Sequence, residues 1–143
     1  MFAPNQEQVR RFFCEAWAKQ KGGQLLTPLE ALAADWITQH PEYHDDLSDV
    51  EAAIQRNYTV EEGRTNPFLH LSMHLSIMEQ VSIDQPRGIK AAIDRLAHRR
   101  ASLHEAHHEV MESLGQMVWA AQRSGQPFDG EAYIADVLAR ATR

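Results

Sequence analysis

The chain has 143 residues, of which 43% are hydrophobic and 24% charged, with a formal net charge of -6. That is the size of one ordinary domain, long enough to bury a core without disulfides, and its composition excludes a disordered chain. The acidic balance argues against nucleic acid and anionic lipid, and the lone Cys14 excludes an internal disulfide and any CxxC motif.

In chain order, Asn5 is placed to cap a first helix, with Gln8 in the capping-box position. Val9, Phe12, Phe13, Ala16 and Trp17 then predict its apolar stripe, which leaves Cys14 off that face as a bystander. Gly22-Gly23 stops the helix. The opening MFAPNQEQVRRFF has no apolar h-region, so no secretory signal is expected and the cytoplasm is the expected address. Thr27-Pro28-Leu29-Glu30 supplies cap, N1 proline and box glutamate for a second helix, with Leu29, Leu32, Ala33, Trp36 and Ile37 as its stripe. His40-Pro41 ends it, because the residue before proline avoids the helical region. A short turn follows at Pro41, and Ser48 with Glu51 predicts a boxed short helix to about Arg56.

Asn57 to Thr65 reads as a polar loop containing Gly63. Asn66-Pro67 opens FLHLSMHLSIMEQV, which is apolar nearly all round and is expected to be the central buried helix. Asp84-Gln85-Pro86 breaks it, and Ile89, Ala92, Ile93 and Leu96 mark the next helix, ending near Arg100. That helix carries the basic run Arg87, Lys90, Arg95, Arg99 and Arg100, read as a solvated face. Ser102 and Glu105 box the start of a long helix to about Ser124, closed by Gly125. A last helix, after the turn Pro127-Phe128-Asp129-Gly130, puts Tyr133, Ile134, Val137 and Leu138 on one face. No stretch alternates with period two and none is apolar enough to span a membrane. The expected fold is all-α, one domain over 1–143: a compact bundle of five or six main helices without a sheet, with the helices Pro67–Ile83 and Leu103–Ser124 central.

Eight histidines occur, and six fall into i, i+4 pairs: His40/His44, His70/His74 and His104/His108. Random placement gives roughly 0.4 such pairs. On a helix, i and i+4 side chains leave one face a turn apart, so two imidazoles can share a cation, and two such helices supply four ligands. His70 and His74 share a face with Ile77 and Val81, while His104, His107 and His108 share one with Met111, Leu114 and Val118. Glu112, a turn beyond His108, can add a carboxylate, and Gly115 on that side admits a close backbone or ligand. The candidate metal ligands are therefore His70, His74, His104, His108 and Glu112, with His107 able to replace one of them. The pair 40/44 is set aside, because Pro41 lies between its members. The plain alternative is that these histidines only hydrogen-bond within a core.

His104-Glu105-Ala106-His107-His108 also fits H-E-x-x-H, in which two histidines hold zinc and the glutamate activates water. Against a zinc hydrolase stand the motif's place in the first turns of its helix, the capping role of Glu105, the lack of a predicted strand to hold a peptide, and the want of a third ligand beyond Glu131. No G-x-S-x-G, G-x-x-x-x-G-K-[ST] or G-x-G-x-x-G occurs.

The strings NPFLHLSMHLSIMEQVSIDQPRGI and HEVMESLGQMVWAAQRSG, with the opening QVRRFFCEAWAK and LTPLEALAADWITQHPEYH, resemble a family of small bacterial proteins known only as a domain of unknown function, DUF1841. The resemblance covers essentially the whole chain. It implies a cytoplasmic bacterial protein and carries no activity or cofactor. The residues themselves point to a small helical protein binding zinc, iron or nickel. The rival is a non-enzymatic interaction module with structural histidines and an apolar face for a second copy or an unidentified protein.

Overall fold

The computed structural model describes residues 5–56, 58 and 66–143. Among these residues there are seven α-helices, one 3-10 turn and no strand. They fall into two compact units, Met1–Leu75 and Ser76–Arg143.

In the first unit, α1 (Gln6–Lys21), α2 (Pro28–Thr38) and α3 (Val50–Gln55) pack with α1 against both others. The expected capping boxes form. Asn5 Oδ1 accepts the Gln8 N–H at 2.8 Å and Thr27 Oγ1 accepts that of Glu30 at 3.2 Å, each answered by the return bond. The buried faces keep three of the five expected residues in each helix and are shifted at their edges. In α1 the face is Arg10, Phe13, Cys14, Ala16 and Trp17, and Val9 and Phe12 are only half-buried. In α2 it is Glu30, Ala33, Ala34, Trp36 and Ile37, while Leu29 and Leu32 are exposed. Each face begins with a charged residue that is hydrogen-bonded within the unit. Arg10 Nη1 donates to the carbonyls of Ala53 and Arg56, and Glu30 accepts from Lys19 Nζ at 2.8 Å. Cys14 is thus enclosed, contrary to its expected place off the apolar face.

Pro41–Tyr43 forms the 3-10 turn. The cap of α3 is Asp49, not Ser48: Asp49 Oδ1 accepts the N–H of Glu51 and of Ala52, while Ser48 Oγ donates to the His44 carbonyl at 2.7 Å. The predicted loop 57–65 lies outside the described residues except for Tyr58. Asn66 Oδ1 then caps α4 (Pro67–Ile83) through the N–H groups of Phe68 and Leu69. This helix is not buried all round. Phe68, Leu71, His74 and Ile77 are buried, Leu75, Met78 and Val81 are half-buried, and Leu69 is 60% exposed. The division between the units falls inside α4.

In the second unit, α5 (Ile89–Arg100), α6 (Leu103–Ser124) and α7 (Gly130–Ala141) pack mutually. Ile89, Ala92, Ile93 and Leu96 are buried as expected. Ser102 caps α6 at the Glu105 N–H, and Gly125 closes it at φ 72, a left-handed conformation suited to glycine. At 22 residues α6 outruns its 12-residue neighbours. Its far turns are bare in consequence: Val118, expected in the core, is exposed, and a Cβ on Gly115 would meet nothing within 4 Å. Arg100 pairs with Glu109, and Arg140 with Glu112 and Asp136. No helix among the described residues is long and apolar enough to cross a membrane.

Candidate metal centre

At the end of α2, Pro41 forces His40 out of the helical region, to φ -126 and ψ 66. Its ring folds back so that Nδ1 lies 2.7 Å from the Trp36 carbonyl, in the last turn of α2. A carbonyl can only accept, so Nδ1–H donates and Nε2 of the neutral ring presents its lone pair. A metal-binding histidine is commonly oriented in this way. Nε2 sits 3.1 Å from His70 Nε2. His44 caps the same helix end through its other nitrogen, with Nε2 2.9 Å from the Ile37 carbonyl, and its ring lies 4.3 Å from that of Trp17. The 40/44 pair therefore does not act as two ligands on one helical face.

On α4, His74 is fully buried and stacks on Trp36, with ring centroids 3.9 Å apart and planes at 16°. Its ring is 5.0 Å from that of His40 and 4.9 Å from that of His70. Tyr43 stacks on the far side of this group, 5.3 Å from His40.

In the first turns of α6, His104 and His108 are half-buried, with rings 4.3 Å apart, as i, i+4 spacing dictates. His107 beside them is buried. That burial, with the neighbouring His108 and His104, pushes its pKa down to about 4, so it is neutral at neutral pH. Glu112 does not join these rings. It is exposed and bound to Arg140 Nη1 at 2.9 Å. Glu105 and Glu131 are exposed in the first turns of α6 and α7.

His40, His74, His104 and His108 each offer one ring nitrogen, and these four atoms lie within 4.8 Å of one another. Four ligands held tetrahedrally, each at about 2.0–2.1 Å from one ion, lie about 3.4 Å from one another. Of the residues expected from sequence, His74, His104 and His108 belong to this group, and His70 and Glu112 do not. His40 was passed over because Pro41 was read only as a helix breaker, whereas it is what turns the ring back.

These features define a helical protein with a clustered set of histidines able to hold a metal. The model of the family described as Domain of unknown function (DUF1841) matches residues 5–139, and the chain belongs to that family. No curated protein matches the chain, and no solved structure does.

Proposed function

We propose that this chain binds one divalent transition ion through His40, His74, His104 and His108. The observation that carries the reading is the convergence of four ring nitrogens within 4.8 Å. The Nδ1–H bond of His40 to the Trp36 carbonyl supports it, because that bond leaves Nε2 as the ligating atom. A donor set of nitrogen alone suits zinc, iron or nickel. Four protein ligands close a tetrahedral site, whereas catalytic zinc keeps one position for water. The set therefore favours metal binding without hydrolysis, and the H-E-x-x-H match contributes two ligands rather than a catalytic glutamate. A second reading, an interaction module, is favoured by Trp119, which is 60% exposed on α6 next to the exposed Val118.

Elemental analysis of protein purified without an affinity tag separates the two. Near one zinc, iron or nickel per chain is expected, and cobalt substitution should give the visible bands of a tetrahedral nitrogen site. His104→Ala, at a half-buried position the fold tolerates, should lose the ion, while His98→Ala, at an exposed position, should keep it. Metal-free protein that takes up no cobalt leaves the interaction reading standing.

A further inference from the structure

His40 and His70 both belong to the first unit, one just past the end of α2 and the other on α4. Their Nε2 atoms lie 3.1 Å apart, a hydrogen-bond distance. The direction of that bond follows from the other side of the His40 ring. Nδ1–H is given to the Trp36 carbonyl at 2.7 Å, so Nε2 of the neutral ring carries a lone pair and no proton. His70 Nε2 therefore carries the hydrogen and donates it. Three rings hold His70 in this attitude. Those of His40, Tyr43 and His74 meet it edge-on, with centroids at 4.9, 5.7 and 4.9 Å.

This hydrogen bond and a bound ion would use the same electron pair. An imidazole nitrogen has one lone pair, so His40 Nε2 either accepts from His70 or ligates a metal. His70 itself stands outside the convergent set, whose four nitrogens come from His40, His74, His104 and His108. It is also half-buried, whereas His40 and His74 are enclosed, so its N–H has a route to water once displaced.

We propose that His70 is a latch on the metal site: its Nε2–H holds the His40 lone pair while no ion is bound and gives it up when an ion arrives. The inference rests on the metal reading above and adds to it a residue that opposes loading instead of ligating. Neither ring gains or loses a proton. One N–H···N bond is exchanged for one nitrogen–metal bond, and the N–H of His70 passes to water. The latch should weaken metal affinity by the net worth of one hydrogen bond, roughly two- to twelvefold.

The test uses the full chain with isotope-labelled histidine. Without metal, a nitrogen–nitrogen coupling across the hydrogen bond should join His70 Nε2 to His40 Nε2, and one equivalent of zinc should abolish it. His70→Phe keeps an aromatic ring and removes the donor, and His70→Leu removes both. Both variants should take up cobalt roughly two- to twelvefold more tightly than the parent. The coupling is measured on the parent chain, so it decides even where a variant fails to fold. A parent that takes up no cobalt overturns the metal reading and the latch with it. Where the parent does take up cobalt, three results overturn the latch alone: no coupling in the metal-free chain, a coupling that survives zinc, or folded variants that bind no more tightly. Weaker binding by both variants would make His70 a ligand.

Discussion

Cys14 is enclosed on α1, and that burial, reinforced by the Asp49 and Glu15 carboxylates, pushes its thiol up to about 11. The thiolate is the reactive form, so a shift from 9.0 to about 11 lowers its population at pH 8 roughly a hundredfold before access is considered. Iodoacetamide should therefore alkylate the native chain at pH 8 at least about a hundredfold more slowly than the denatured chain. While the fold holds, the native rate should climb about tenfold per pH unit towards pH 11. Equal native and denatured rates would show an open thiol. His40 shows what a single residue's context hides from sequence. Its role depends on a ring turned back onto the Trp36 carbonyl, and nothing in i, i+4 counting encodes that turn. His104 and His108, which lie one turn apart on an unbroken helix, were legible for the opposite reason.

At the scale of elements, caps and breakers located the helices well, because they act within four residues of chain and involve no distant partner. Thr27-Pro28-Leu29-Glu30 and Ser102 cap where they were read, and Asp49 displaces Ser48 by one position only. The phase of the buried faces was less legible. Hydrophobicity counts Arg10 and Glu30 against a face, yet both are buried, Arg10 with hydrogen bonds to the Ala53 and Arg56 carbonyls and Glu30 with one from Lys19. Phe13, Ala16 and Trp17 of α1 and Ala33, Trp36 and Ile37 of α2 are buried as expected, while Arg10 and Cys14 take the places of Val9 and Phe12, and Glu30 and Ala34 those of Leu29 and Leu32. The same reasoning separates two leucines of α4 that sequence alone treats alike. Leu71 is fully buried, and Leu75 is half-buried, lining a cavity with Phe12, Phe13 and Leu29. Leu71→Ala should cost about 2–5 kcal/mol, the range for an enclosed leucine, and Leu75→Ala distinctly less. Urea midpoints with unchanged m-values measure the difference, and equal losses would place both side chains in the core.

For the whole molecule, net charge sets the first expectation. The charge is -6, and Lys90 and Arg100 of the basic run pair with Asp94 and Glu109, which weakens that run as a site for a phosphate backbone. Electrophoretic shift assays at low salt should show no sub-micromolar binding to DNA or RNA. The metal reading makes the sharper demand. Its ligands run from residue 40 to residue 108, so loss of the fold around either His40 and His74 or His104 and His108 dissolves the coordination. An ion that binds only the folded chain stabilises it by about 2.7 kcal/mol at one hundred times its dissociation constant. Zinc should then slow hydrogen exchange both in α2, around Trp36, and in the first turns of α6. Imidazole ligands must be neutral, and an unperturbed histidine titrates near 6.5. Bound metal holds the ligand pKa values below that unfolded value, so the added stability is present above about pH 6.5 and is lost as pH falls through it. Melting temperature should rise with zinc at pH 7.5 and barely move at pH 5.5, and His108→Ala should remove the rise. Protection confined to one of the two helices, or a shift that survives at pH 5.5, would mean that the ion is held by some other set of atoms.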